Sequence, residues 1–90
     1  MALHRRLSAN LVGFCRLLRQ QGAGVGPGEQ RDALQALQHI NLGDSAAFCA
    51  ALRATLAKSV EEQKIFDEHF ASYWQVWDRA NELNRRRRDD

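Results

Sequence analysis

From Gly22 to Gly28 the chain reads Gly-Ala-Gly-Val-Gly-Pro-Gly, and this one stretch holds four of its six glycines and its only proline. The residues around it favour helix. Ala, Leu, Gln, Arg and Glu dominate, while β-branched residues are few and scattered: Val12, Val25, Ile40, Thr55, Val60, Ile65 and Val76. The stretch therefore cuts a helix-forming chain at one defined place. Ninety residues make one domain at most. A domain of this size buries only about 60% of its unfolded surface, so its core must come from a few large side chains. These observations predict an all-α protein, a small bundle of four to five helices. Residues 1–80 form the single domain, and 81–90 are a charged tail or the start of a linker.

The glycines invite comparison with a phosphate-binding loop, and the neighbouring chemistry argues against it. A phosphate loop needs Lys and then Ser or Thr at the start of the following helix. Here Gly28 is followed by Glu29 and Gln30, and a carboxylate there repels phosphate. The dinucleotide fingerprint fails too, because no strand precedes the loop and Pro27 stands in the register of its last glycine. A shaped helix–helix connection remains, with Gly24 and Gly26 expected at positive φ. Val25, its one sizeable apolar residue, is expected to plug into the core.

Apolar spacing places the helices. Leu3, Leu7, Leu11, Phe14 and Leu18 recur three and four residues apart, which makes one stripe on a helix from about Leu3 to Gln21. Ser8 is an alternative start for it. Gly22 stops this helix, and Pro27 opens the second, where its missing N–H costs nothing. Glu29 suits the positive end of that helix, which continues through Ala33, Leu34, Leu37 and Ile40 until Asn41-Leu42-Gly43 ends it. Asp44 or Ser45 caps a third helix with the stripe Phe48, Cys49, Leu52, Thr55 and Leu56. Ser59-Val60-Glu61-Glu62 has capping-box spacing and starts a fourth. On that helix Ile65, Phe66, Phe70, Tyr73, Trp74 and Trp77 form a dense aromatic and aliphatic stripe. Phe66, Phe70 and Trp74 are read as core. Tyr73 and Trp77, on an adjoining line, are open to a second reading as anchors for a partner.

Charge is segregated along the chain. Residues 1–28 carry Arg5, Arg6, Arg16 and Arg19 and no acid, whereas the later helices are acid-rich. A basic first helix packing beside acidic later ones is the simpler explanation, and a basic face for nucleic acid is the sharper one. The net charge of +2 resides in the tail, where Arg85–Arg88 outnumber Asp89 and Asp90. No aromatic residues are interleaved with those arginines, which argues against single-stranded nucleic acid. Cys15 and Cys49 form no paired metal motif and are expected as free thiols in a reducing cytoplasm. His4, His39 and His69 have no partner at helical spacing, and no catalytic set of acid, base and nucleophile has a recognisable local pattern. The expectation is therefore no enzyme, no metal and no cofactor. No apolar run approaches the roughly 20 residues of a membrane span.

Several segments in order resemble a known family. Leu18-Arg-Gln-Gln-Gly-Ala-Gly-Val-Gly-Pro-Gly28 precedes Asp-Ala-Leu-Gln-Ala-Leu at 32–37, followed by Ile40-Asn-Leu-Gly-Asp44 and Ala51-Leu-Arg-Ala-Thr-Leu56. Phe66-Asp-Glu-His-Phe70 and Trp74 complete the set. Over residues 8–77 the chain resembles the N-terminal helical region of CoxE-like proteins that carry a von Willebrand factor A (VWA) domain. In that family the region precedes a metal-binding VWA domain, and members work beside MoxR-type AAA+ ATPases in assembling or maturing other proteins. These 90 residues hold no D-x-S-x-S metal motif, so the resemblance carries over no metal site. It implies a non-catalytic interaction domain whose partner is such an ATPase or the protein being matured. Val25, Gly26, Pro27, Gly28, Tyr73 and Trp77 are the candidate contact residues. A homodimer through leftover apolar surface is a further possibility for so small a core. The alternative function is a small nucleic-acid-binding protein using the first helix and Arg85–Arg88.

Overall fold

The computed structural model describes the backbone of residues 2–89 and the side chains of residues 6–75. Among these residues there are four helices and no strand: α1 (Ala2–Gln20), α2 (Pro27–Leu37), α3 (Ser45–Leu56) and α4 (Val60–Asp89). Short connections make successive helices antiparallel neighbours. α1 packs on α2 and α4, and α3 packs on the same two, so the bundle closes with the first and last helices side by side. α4 has 30 residues and projects beyond its shorter neighbours.

Each helix end has a local cause. α1 ends in a Schellman motif: Ala23 N–H donates to the Leu18 carbonyl (2.9 Å) and Gly22 N–H to the Arg19 carbonyl (3.1 Å). Gly22 sits at φ +105°, the left-handed turn that this motif needs. Among the described residues it is the only glycine at positive φ. Gly26, expected there, is instead extended at φ −96°, ψ −178°. The reason is geometric: Gly22 alone turns the chain out of α1, and an N-cap residue must be extended before helix begins. Pro27 occupies the first turn of α2 as expected. Asp44, not Ser45, caps α3, its carboxylate accepting from Ala47 N–H at 3.1 Å.

α1 begins at Ala2, next to the expected Leu3; the alternative start at Ser8 is not used, because Leu7 is buried with Leu11 and the helix must pass through Ser8 to place both. α2 stops at Leu37 and not at Ile40. Its last bonds tighten to the i→i+3 type, Gln38 N–H to Gln35 and His39 N–H to Ala36, each at 3.1 Å. Ile40 still packs against the core from the turn that follows.

The core is apolar throughout the described residues, with no buried polar or charged side chain. Leu7, Leu11, Phe14, Cys15 and Leu18 come from α1, Ala33 and Leu37 from α2, Phe48, Leu52 and Leu56 from α3, and Phe66 and Trp74 from α4. Phe14, fully buried, lies at the centre of the aromatic cluster. The rings of Phe66, Phe70, Tyr73 and Trp74 surround it with centroids 5.1 to 6.0 Å away. Phe48 closes the cluster from α3, 4.9 Å from Trp74. Each such pair adds about 0.5–1.5 kcal/mol beyond the area it buries. The aromatic stripe of α4 is thus the seam that joins it to α1 and α3.

Candidate functional site

The glycine loop is held by side chains from three helices. Gly24 N–H donates to Glu62 Oε2 at 2.8 Å, and Gly26 N–H donates to Glu29 Oε2 at 3.1 Å. Arg19 Nη1 donates to the Val25 carbonyl at 3.0 Å. Glu62 also works locally: its Oε1 accepts from the N–H groups of Lys58 and Ser59, while Ser59 Oγ accepts from Glu62 N–H at 3.1 Å. One carboxylate therefore completes the capping box of α4 and pins the loop between α1 and α2. These hydrogen bonds, led by the one from Gly24, hold the Glu62 carboxyl below its usual range. Because the two loop amides already face the chain's own carboxylates, a phosphate brought to this loop would meet Glu29 and Glu62. The loop is a connection and not an anion cradle.

The six candidate contact residues do not form one site. Val25 is 2% exposed and fills the core beneath the loop, so its side chain has no surface to offer. Gly26 is half-buried, and Pro27 and Gly28 are exposed at one end of the bundle. Tyr73 lies eleven residues beyond Glu62 on α4, about 16 Å along the helix axis. It faces inward, its hydroxyl donating to the Asn10 carbonyl at 2.7 Å and its ring 5.1 Å from Phe14. The side chain of Trp77 lies outside the described residues, as do those of Arg85–Arg88.

Two residues help to shape this arrangement in ways that local spacing did not show. Gly13 sits inside α1 facing Tyr73, and a Cβ there would stand 2.5 Å from the Tyr73 hydroxyl oxygen. Its missing side chain makes room for the Tyr73–Asn10 hydrogen bond. The available signal was a glycine inside an otherwise periodic helix. Glu62 is the other: its capping role is local, whereas its bond to Gly24 spans 38 residues.

The surface chemistry is sparse. Arg53 holds Asp67 with two bonds, Nε–Oδ1 at 3.0 Å and Nη2–Oδ2 at 3.2 Å, tying α3 to α4. The pairing raises the Arg53 pKa and lowers that of Asp67. An open depression beside this pair is lined by Ala50, Arg53, Ala54, Ala57, Lys58 and Gln63. Burial pushes the Cys15 thiol up to about 11, outweighing Arg19. Burial and the Asp67 charge also raise Cys49 despite Arg53. Both thiols are therefore protonated near neutral pH and poor nucleophiles. Among the described residues no three of His, Cys, Asp and Glu converge on a metal position. No helix among them is long and apolar enough to cross a membrane.

The basic first helix packs beside the acid-bearing α2 and α4, as the simpler reading expects, but its described arginines make no ion pair with them. Among the described residues Arg6, Arg16 and Arg19 have no carboxylate partner; Arg19 bonds a carbonyl instead. Glu29 and Glu62 are engaged by loop amides.

A four-helix bundle sealed by an aromatic seam, with a glycine-rich first connection, is the class that these features define. Residues 11–77 match the family model of the CoxE N-terminal helical bundle domain, and the chain belongs to that family. Comparisons with curated proteins and with solved structures gave no match.

Proposed function

We propose that this bundle is a non-catalytic interaction domain that works with a MoxR-type AAA+ ATPase in maturing other proteins, metalloenzymes among them, in the cytoplasm. The observation that carries the reading is the family match over residues 11–77, which spans α2, α3, the second half of α1 and the aromatic part of α4. The surroundings of the two thiols agree with a binding role, because neither is activated. Contact with the partner falls to the exposed Pro27 and Gly28, with Gly26 beside them, and separately to Trp77; Val25 and Tyr73 support the fold from within.

Co-precipitation with a MoxR-type ATPase encoded beside this protein tests the reading. Capture by the intact chain is the expected result, and an ATPase that ignores it removes the proposed partnership. Unchanged capture by a folded Trp77→Ala variant would take Trp77 out of the contact surface while leaving the partnership in place.

A further inference from the structure

We infer that the outward face of α1, built from Val12, Arg16 and Arg19, docks an acidic and partly apolar segment of a protein partner. The inference rests on the reading of the domain as an interaction module. α1 buries Leu7, Leu11, Phe14, Cys15 and Leu18 on one side. On the other side, Val12, Arg16 and Arg19 follow one another at spacings of four and three, a single exposed line about 10 Å long. Val12 is 36% exposed, one of two large hydrophobics left open among the described residues.

Charge complementarity selects the occupant. Residues 1–28 contain no acid, and the carboxylates nearest the loop end of α1 are spent: Glu29 on Gly26 and Glu62 on Gly24, Lys58 and Ser59. Arg53 on α3 shows the contrast, since it has its counter-charge in Asp67. Among the described residues Arg16 has none, and Arg19 gives one of its five N–H donors to the Val25 carbonyl, which leaves donors for a carboxylate. A partner carrying two carboxylates one turn apart, with an apolar side chain next to them, matches this line. A nucleic-acid backbone fits less well. It offers Val12 nothing, and Arg6 stands ten residues from Arg16, about 80° around the helix, so the described arginines form no continuous track.

Fluorescence anisotropy on the full chain tests this with three labelled probes at low salt: an amphipathic Glu/Leu peptide, its Lys/Leu counterpart, and a DNA duplex. The Glu/Leu peptide is expected to bind. Arg16→Glu, which leaves the line neutral, should weaken it about tenfold and remove its advantage over the Lys/Leu peptide. Arg31→Glu, at an exposed position on α2, should do neither. Circular dichroism establishes that both variants remain folded. Absence of peptide binding overturns the inference, as does indifference to Arg16→Glu or an equal loss from Arg31→Glu. Tighter binding of the duplex overturns it in favour of nucleic acid. The ATPase co-precipitation separates the two proposals. Capture that survives Arg16→Glu leaves the partnership standing without this face. Loss of the Glu/Leu preference in Arg16→Glu, with no ATPase capture by the intact chain, leaves the face standing without that partner.

Discussion

Two glycines in this chain are needed for opposite reasons. Gly13 costs α1 about 0.5–1 kcal/mol relative to alanine, a helix former of the highest rank. Yet alanine at this position would place a methyl group 2.5 Å from the Tyr73 hydroxyl oxygen, which is held by its bond to Asn10. The steric effect outweighs propensity, and Gly13→Ala is expected to lose about 1–2 kcal/mol in urea denaturation. Tyr73→Phe removes the obstructing oxygen. Adding it to Gly13→Ala should therefore cost less than the two single losses combined, and strict additivity in that double-mutant cycle would remove the proposed clash. Gly22 has open space around its Cα, so bulk is no obstacle there. Its φ of +105° is the obstacle, and Gly22→Ala should cost about 1–2 kcal/mol through backbone strain alone.

At the scale of the helices, the start of α4 carries the clearest pH signature. The folded-state pKa of Glu62 is lowered below its ordinary 4.5, so the unfolded chain takes up its proton first as pH falls. The stability this carboxylate supplies is therefore complete above about pH 4.5 and is lost as acid carries the pH through the lower folded value. Glu62→Gln should flatten part of the acid-side slope of stability measured by urea denaturation. The part of the slope due to Asp67, whose pKa Arg53 lowers, remains. Ser59→Ala, which removes the other half of the box, should cost about 1 kcal/mol at neutral pH. Helix boundaries were legible in the sequence where their cause is local. Gly22, Pro27, Asp44 and Ser59 each make or permit bonds within a few residues of themselves. Ser8, the alternative start, sits mid-helix because Leu7 and Leu11 must both face the core. The bonds Gly24–Glu62 and Asn10–Tyr73 span 38 and 63 residues, and no spacing rule encodes them. That is why Tyr73 reads as a surplus aromatic in the sequence and as an internal strut in the fold.

Across the whole molecule, stability is concentrated in one aromatic cluster. A domain of this length is worth roughly 5–13 kcal/mol in total. Phe14→Ala removes the ring that four others surround and is expected to cost about 3–5 kcal/mol, a large share of that total. A thermal midpoint that barely moves in this variant would contradict the central place given to Phe14. The two thiols report on the same core. Cys49, half-buried, should react with a disulfide reagent well before Cys15, which is enclosed and raised to about 11. The side-by-side placement of the first and last helices also has a consequence in time. Chains leave the ribosome at about 5–20 residues per second, N-terminus first. Phe14 emerges early, but the rings that cover it, Phe66 to Trp74, are made some 50 residues later. For those seconds α1 has α2 to pack on but lacks the rings that cover Phe14, which makes this side of the helix the natural place for a chaperone to hold.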